Sequence, residues 1–321
     1  MSDPLVSVLV TAYNAEPWLA ETLGSALAQT YPNVEVVVVD DGSTDGTLRV
    51  ARGFEGPRVQ VVGQVNAGAC AARNRALAES NGDLVQYLDA DDLLAPDKIE
   101  RQVARLRDEP EGTVASGPWA RFRERPGDLG RGGEAGWEDY EPAVDFLVQS
   151  WSPGGGMMPN FGWLTPRPLV DAAGPWDERL RKNQDGEFFA RVLAQAARVA
   201  FCPGAWGYYR SGVTTSVSAR RGADVAESLF AAAEGASRAV LGRLDTDAAR
   251  RACASLWMGV AFQTYPVAPE VGARAEARAA ALGGSDAEPG GGRAFQVVRD
   301  ALGWKAAVRF QHVWYRLRYG R

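Results

Sequence analysis

Three polar clusters follow short apolar runs in the N-terminal third of the chain. They are "TAYN" at Thr11–Asn14, "DDGSTD" at Asp40–Asp45 and "DADD" at Asp89–Asp92. Carboxylates that meet in one crevice repel each other unless a cation or hydrogen-bond donors offset their charge. Asp89 and Asp91, two residues apart, suit a hard divalent ion that keeps water ligands and shares its other positions with phosphate oxygens. The clusters together predict a site for a phosphorylated ligand and a divalent ion, although any single Asp can instead cap a turn or helix.

The elements that must position these clusters alternate along the chain, which predicts an α/β fold with a mostly parallel central sheet flanked by helices. Apolar residues recur at helical spacing after Pro17, from about Ala67 to Ser80 and after Pro96. Strands buried on both faces and separated by helices indicate a parallel sheet, and ligands of such sheets bind at the carboxyl ends of the strands. We predict strands at Leu5–Thr11, Val34–Asp40, Val59–Val62 and Leu84–Asp89.

Composition narrows the classes of protein further. A net charge of −5 over 321 residues gives no overall attraction to nucleic acid. Cys70, Cys202 and Cys253 are odd in number, lack metal-ligand spacing and have only His312 to assist them, so a reduced compartment is expected. No apolar run approaches the roughly 18 residues needed to cross a bilayer. We expect a cytoplasmic protein, with peripheral contact at the inner face of the membrane as the alternative.

Four other phosphate-handling architectures fit poorly. The G-x-G-x-x-G element of a dinucleotide-binding unit and the G-x-x-x-x-G-K-[ST] element of a P-loop do not follow the first strand. A receiver-type phosphoacceptor domain also has an acidic pair at a strand end, but here the pair follows the second strand and most of the chain would be unexplained. A nucleotidyltransferase would need a glycine-rich loop with a basic residue, where this chain has "TAYNAEPW".

The polar clusters and their surroundings resemble glycosyltransferase family 2, the inverting enzymes of the GT-A fold. The matching segments are "VSVLVTAYNAEPWLAETLGSALAQTYPNVEVVVVDDGSTDGT", "NAGACAARNRAL" and "YLDADD", in this order, and the resemblance extends over roughly residues 5 to 215. It implies that Thr11, Ala12 and Tyr13 line the base pocket, with the Tyr13 ring against the nucleobase. It also implies that Asp41 accepts a hydrogen bond from the base, which suits a pyrimidine and favours UDP or dTDP.

The same resemblance implies roles for the residues near the diphosphate. Arg73 would approach the diphosphate, Asp89 would lie toward the ribose or a metal-bound water, and Asp91 would ligate Mn²⁺ or Mg²⁺ directly. Asp89 and Asp91 form the D-x-D element, and Asp92 would support that element or cap a helix.

The segment "GPWDERLRKNQDGEFFARVL" resembles the family's G-G-F-D-E motif and the acidic E-D pair that follows it. Gln184 stands where the family has Glu, and Asp185 keeps the Asp, so the resemblance implies that Asp185 is the catalytic base. Glu187 is the competing carboxylate. Where many relatives have Y-R-x-H, this chain has Val213 or a neighbouring residue in place of the histidine, which leaves a third metal ligand open and offers Arg210 to the diphosphate instead.

We therefore predict a metal-dependent inverting glycosyltransferase that moves a sugar from a nucleoside-diphosphate sugar to an acceptor hydroxyl in glycan or glycoconjugate biosynthesis. The acceptor would be a glycan, a lipid-linked sugar or a small molecule. The alternative is a non-catalytic sugar-nucleotide-binding scaffold of a glycan assembly complex. The predicted domains are a GT-A catalytic domain at residues 1–219, with a nucleotide-sugar half at 1–115 and an acceptor half at 116–219, and a helical region at 220–321.

The C-terminal segment Arg293–Arg321 predicts one amphipathic helix outside the family resemblance. Basic residues surround its apolar stripe, and this pattern is typical of a helix that lies in a membrane interface. Packing on the body of the protein, or homodimerisation, is the alternative. The predicted stripe consists of Phe295, Val298, Leu302, Ala306, Phe310, Val313 and Leu317.

Overall fold

A computed structural model describes residues 3–129, 136–153, 155, 158–212 and 222–319. The strands are β1 (Val6–Ala12), β2 (Val34–Asp40), β3 (Val59–Gly63), β4 (Leu84–Asp89), β5 (Leu93–Leu94), β6 (Thr113–Ser116), β7 (Trp119–Phe122), β8 (Thr165–Pro166), β9 (Arg198–Phe201) and β10 (Gly207–Arg210). The helices are α1 (Leu19–Leu27), α2 (Thr47–Arg52), α3 (Ala69–Ala78), α4 (Lys98–Arg107), α5 (Asp145–Trp151), α6 (Arg167–Ala173), α7 (Gln184–Gln195), α8 (Ala223–Arg243), α9 (Asp247–Thr264), α10 (Pro269–Ala281), α11 (Arg293–Leu302) and α12 (Trp304–Tyr319).

The central sheet brings the three polar clusters to one edge. Its strand order is β3-β2-β1-β4-β8, and β1 through β4 pair in parallel while β8 runs antiparallel to β4. Thr11 of β1 pairs with Asp89 of β4, and Ala12 pairs with Asp40 of β2. The mostly parallel sheet with flanking helices confirms the predicted fold class, and its carboxyl edge carries the three polar clusters from which the site was predicted.

The central strands are buried because helices cover both faces of the sheet. Four consecutive valines of β2, Val36–Val39, have relative exposures of 0–1%. The alternate valines contribute to different core clusters, one shared with apolar residues of α1 and α4 and the other with residues of α3 and α7. A run of β-branched residues without a polar alternation therefore formed a strand covered on both sides, as expected for a parallel sheet.

The first two C-terminal helices extend the hydrophobic core of the α/β fold. Ala236 and Val240 of α8 and Cys253 of α9 pack in the same cluster as Trp163 and Phe188. The helical region after residue 220 is thus joined to the rest of the protein by apolar packing. The predicted division at residue 219 stays a prediction, because the boundary lies in the segment 213–221, outside the described residues.

The prediction of a single C-terminal helix at Arg293–Arg321 was wrong, because the segment forms two helices. Gly303, with φ of 82°, separates α11 from α12 in the left-handed region that glycine enters without steric cost. The predicted apolar stripe is therefore split: Phe295 is buried at 4% exposure, whereas Leu302 is 72% exposed. Among the described residues, none of the helices is long and apolar enough to cross a membrane.

Candidate active site

The loops after β1 and β2 are tied together, which holds the segment around Tyr13 in place. The Asp41 backbone N–H donates to the Ala12 carbonyl at 2.8 Å, and the Thr44 N–H donates to Asn14 Oδ1 at 2.8 Å. Thr11 and Ala12 end β1, and the Tyr13 side chain is 47% exposed between these anchors. An exposed ring on an anchored backbone is available to stack on a planar ligand.

Asp41 is buried at 3% exposure and holds the loop that leads into α3. Its Oδ1 accepts hydrogen bonds from Gln64 Nε2 and the Ala67 N–H, and its Oδ2 accepts from the Gly68 N–H, all at 2.8 Å. A carboxylate offers about four acceptor positions. These three donors leave about one position for the predicted hydrogen bond from a nucleobase, so Asp41 orders its own loop before it meets any ligand.

Arg73 crosses from α3 to the carboxyl end of β4. Its Nη2 donates to Asp89 Oδ1 at 2.8 Å, and its Nη1 donates to Gln184 Oε1 at 3.0 Å. The guanidinium carbon lies 4.5 Å from the centre of the Trp176 ring, and the residue is only 7% exposed. A buried guanidinium fixed by a carboxylate, an amide and an aromatic face has a defined orientation. Arg73 therefore points a permanent positive charge at the strand end.

The acidic cluster after β4 contains carboxylates in three different environments. The Asp89 side chain is 37% exposed, and its Oδ1 also accepts from Asn160 Nδ2 at 2.9 Å. Burial, followed by the charge of Asp89, raises the pKa of Asp91 to about 6. Asp92 is buried, accepts from the Arg210 N–H at 2.8 Å, and has its pKa raised well above the usual range by burial. The cluster thus carries more negative charge than its own donors offset.

The residues present fit a divalent ion bound by two carboxylates. Asp89 Oδ2 has no hydrogen bond within the described part of the chain. Burial, followed by the negative charge of Asp89, raises the pKa of Asp91, and a bound cation would offset that negative charge. Hard cations such as Mg²⁺ bind through one or two carboxylates together with water and phosphate oxygens. In residues 3–129, 136–153, 155, 158–212 and 222–319, no group of three acidic, His or Cys side chains forms a fuller metal cage.

Arg210, the alternative diphosphate contact, has its guanidinium engaged elsewhere. Its Nε donates to the Asp91 carbonyl at 2.8 Å, its Nη2 forms an ion pair with Glu21 at 2.5 Å, and its Cζ lies 4.3 Å from the Phe122 ring centre. Arg210 therefore supports the backbone of the acidic cluster. Val213 lies outside the described residues, and its neighbour Gly212, which follows Tyr209-Arg210-Ser211, has no side chain to ligate a metal.

The two candidate bases of α7 lie in different surroundings. Asp185 is half-buried in the first turn, where the helix dipole favours a carboxylate. Burial raises its pKa, the positive charge of Arg73 opposes that rise, and the charge of Asp89 adds to it. Glu187 is 6% exposed, forms a two-point ion pair with Arg191 at 2.8 and 2.9 Å, and lies against Gly235 of α8. Asp185 is thus within the electrostatic influence of Arg73 and Asp89, whereas Glu187 takes part in the packing of α7 on α8.

Three residues of this cluster were not assigned a role from the sequence. Asn160 binds Asp89 from a 3-10 turn 71 residues away, Gln184 binds Arg73, and Trp176 packs under the guanidinium. Gln184 and Trp176 lie in the segment that resembles the family's G-G-F-D-E and E-D motifs, and this resemblance was the only signal in the sequence that pointed to them. Nothing local in "MMPN" distinguishes Asn160 from a turn residue.

The protein thus has an α/β fold of the GT-A type, with acidic residues and Arg73 at the carboxyl edge of the sheet. Residues 7–152 match the model of "Glycosyl transferase family 2". The match confirms, for this segment, the resemblance to glycosyltransferase family 2 that the motifs predicted. The matched segment contains all predicted site residues except Asp185.

Individual relatives support the same assignment over part of the chain. The putative teichuronic acid biosynthesis glycosyltransferase TuaG of Bacillus subtilis is 43% identical over 103 residues, which cover 31% of this chain and 41% of that protein. The chondroitin synthase of Escherichia coli is 41% identical over 99 residues, or 30% of this chain and 14% of that protein. The chain therefore matches well under half the length of these curated relatives.

Two solved structures share the fold over most of the chain. S. aureus TarS residues 1–349, in complex with UDP-GlcNAc, superposes with a TM-score of 0.61 at 18% identity, over 87% of this chain and 90% of that one. The mannosyltransferase PcManGT of Pyrobaculum calidifontis, in complex with GDP-Man and Mn²⁺, gives a TM-score of 0.55 at 19% identity, over 100% of this chain and 89% of that one. At these identities the likeness shows the fold alone.

Proposed function

We propose that this protein is a metal-dependent inverting glycosyltransferase that transfers a sugar from a nucleoside-diphosphate sugar to an acceptor hydroxyl. One observation carries the proposal: Arg73 donates to Asp89 at the carboxyl end of β4 and to Gln184, the residue before Asp185, so the predicted diphosphate contact lies next to the acidic cluster and near the candidate base. The contact between Arg73 and Asp89 lies at the carboxyl edge of a parallel sheet, where such folds bind their ligands.

The donor half of the site would hold the nucleotide through the base and the diphosphate. The Tyr13 ring would stack on the base, Thr11 and Ala12 would line its pocket, and the remaining acceptor position of Asp41 would meet a base N–H. Arg73 would contact the diphosphate and offset the negative charge that grows on it as the glycosidic bond breaks. Asp89 and Asp91 would hold Mn²⁺ or Mg²⁺, which supplies further positive charge to the leaving group.

The acceptor half would contain the base. In an inverting transfer the acceptor oxygen attacks the anomeric carbon as the nucleoside diphosphate leaves from the opposite side, and a single carboxylate can take the hydroxyl proton. Burial raises the pKa of Asp185, and a carboxylate with a raised pKa is a stronger base once it is ionised. Glu187 forms an ion pair with Arg191, which makes Asp185 the better candidate for the base.

UDP and dTDP are the favoured nucleotides, because a carboxylate beside a stacked ring suits the imide N–H of a pyrimidine. TarS was solved with UDP-GlcNAc and PcManGT with GDP-Man, so the fold accommodates either kind of base in those proteins. The proposal covers glycan, lipid-linked and small-molecule acceptors, a cytoplasmic location, and a contact of the C-terminal helix with a membrane or a second copy.

The test is a screen of nucleotide sugars for hydrolysis in the presence of Mn²⁺ or Mg²⁺, read by release of the free nucleoside diphosphate. With the best donor, we expect Asp185→Asn to lower turnover by at least about 10²-fold, the usual effect of removing a general base, with little change in donor affinity. Glu187→Gln is the matched control on the same helix, and it should lower thermal stability more than turnover because Arg191 loses its partner.

Two outcomes would count against this assignment. An active Asp185→Asn with a crippled but folded Glu187→Gln would identify the wrong carboxylate. Donor binding without hydrolysis or transfer across the whole screen would favour the non-catalytic scaffold.

A further inference from the structure

The C-terminal helix α12 is anchored to the protein by its first half. Ala307 and Val308 are buried with Phe295 of α11, at exposures of 0%, 6% and 4%. The Trp304 ring lies 5.3 Å from the ring of Tyr265, measured between centroids. The position of the helix is therefore set by apolar packing near its N-terminus.

The second half of α12 presents an apolar face that the described part of the chain leaves exposed. Phe310, Val313, Trp314 and Leu317 follow the i, i+3, i+4, i+7 spacing of one helix face. Their exposures are 44%, 55%, 42% and 83%. The face keeps Phe310, Val313 and Leu317 from the stripe predicted from the sequence and adds Trp314, while the first part of that stripe lies before the break at Gly303.

The charge of α12 is opposite to that of the whole protein. Its sequence contains Lys305, Arg309, Arg316 and Arg318 and no Asp or Glu, while the chain carries a net charge of −5. Lys305 is neutralised by Glu276 of α10, at 2.8 Å, in the anchored half. The three arginines lie in or beside the half with the exposed apolar face, so positive charge and apolar surface coincide.

We propose that the Phe310–Leu317 face of α12 lies in the interface of an anionic lipid bilayer. Apolar and Trp side chains would enter the acyl boundary while the arginines meet lipid phosphates and carboxylates. Trp314 and Tyr315, both partly exposed, belong to the residue types that concentrate at membrane–water interfaces. The protein would rest on the membrane through this one helix.

A second copy of the chain fits this face less well. A two-fold symmetric contact would bring together two copies of a basic helix whose sequence contains no acidic residue. Such like-charge pairing disfavours association. Anionic lipid supplies the missing charge. The proposal concerns binding alone and holds whether or not the protein transfers sugar.

The experiment is co-sedimentation of the full-length protein, without donor or acceptor, with phosphatidylcholine vesicles that contain or lack phosphatidylglycerol. We expect binding only to the anionic vesicles and weaker binding at high salt. The double variant Val313→Ser/Leu317→Ser keeps every charge and should bind at least about tenfold more weakly, because two inserted apolar side chains are lost. Val297→Ser, an equally exposed valine of α11 at 68%, is the control and should bind like the natural protein.

Three results would overturn the proposal. They are equal binding to neutral vesicles, equal binding by the double variant and the natural protein, and a concentration-dependent dimer in analytical ultracentrifugation that the double variant abolishes without any vesicle binding by the natural protein. Circular dichroism of the variants checks that α12 remains folded, which the exposure of the replaced side chains leads us to expect.

Discussion

The carboxyl ends of β2 and β4 carry the same residue type in two different settings. Asp41, after β2, is 3% exposed and receives three hydrogen bonds from a loop 23 to 27 residues further along the chain. Asp89, at the end of β4, has a 37% exposed side chain and is held by Arg73 and by Asn160, 71 residues away. One carboxylate closes a loop, and the other stays open to the crevice.

The difference arises from the backbone around each strand end. The segment Gln64–Gly68 turns over Asp41, and Gly68 has φ of 97°, so its N–H reaches the carboxylate just before α3 begins. No local loop closes over Asp89, whose partners arrive from α3 and a distant 3-10 turn. Acidic residues at a strand end therefore indicate where a site lies, and the hydrogen-bond donors around each acid decide its role.

The largest effect on donor binding is expected from Asp91→Asn at the open end. The variant should lose the gain in UDP affinity that Mn²⁺ provides, by at least about tenfold, because a carboxylate ligand is removed. Calorimetric titration with UDP, with Mn²⁺ and with a chelator, measures this gain. Because burial and Asp89 raise the pKa of Asp91, a neutral amide should not lower the melting temperature of the metal-free protein.

An unchanged Mn²⁺-dependent affinity in Asp91→Asn would remove this residue from the metal site. A large loss of melting temperature without metal would instead mean that Asp91 is structural, and the contrast between the two strand ends would fail.

A smaller effect on donor binding is expected from Asp41→Asn at the closed end. The amide cannot accept at both positions, so at least one of the donors Gln64, Ala67 or Gly68 loses its partner, and stability should fall by about 1–3 kcal/mol. UDP affinity in the presence of chelator should fall by less than about tenfold, since Asp41 has roughly one acceptor position to offer a base. Urea denaturation and calorimetry on the same variant separate the two effects. Abolished UDP binding at unchanged stability would show that base recognition, and not loop closure, is the main task of Asp41.

Much of the fold could be predicted from the sequence, because its local signals agreed. The valine run of β2 and the helical spacing after Pro17 and Pro96 each led to an element close to the predicted position, and parallel pairing brought the three clusters to one edge. The family motifs then indicated the residues around the crevice. Their individual roles stay predictions.

The remaining features depend on tertiary contacts that have no local pattern. Asn160 reaches Asp89 over 71 residues, and Gln184 reaches Arg73 over 111 residues, so neither contact could be read from spacing. The break at Gly303 was missed because apolar periodicity continued on both sides of it, while the backbone took a conformation that periodicity does not report.

A buried polar network supports the 3-10 turn whose Asn160 contacts Asp89. Lys98 of α4 has no exposed surface, and its Nζ donates to Gln86 Oε1 at 2.7 Å and to Gln102 Oε1 at 2.6 Å. The two amides in turn donate to the carbonyls of Phe161 and Gly162, in the 3-10 turn that carries Asn160. The turn that contacts Asp89 therefore rests on a buried network, which has no counterpart in the contacts described for Asp41.

The smallest effect on donor binding, and a distinct pH signature, is expected from Lys98→Met. Burial lowers the pKa of Lys98 from 10.5 to about 7 in the folded protein. Between these values the unfolded chain binds the proton that the folded chain lacks, so Lys98 makes stability rise with pH from about 7 to 10.5, by up to about 1.4 kcal/mol per pH unit. Below pH 7 both states are protonated and this slope disappears.

Urea denaturation of the natural protein and of Lys98→Met between pH 7 and 10.5 measures this effect. Subtracting the two stabilities cancels the contributions of tyrosine and cysteine, and the difference should grow with pH in favour of the natural protein. UDP affinity should change only a few-fold, because the variant loosens the Asn160 turn without touching the crevice carboxylates. A pH-independent difference would mean that Lys98 stays charged inside the protein, and a complete loss of UDP binding in a folded Lys98→Met would make the buried network as important for the ligand as the acidic cluster above it.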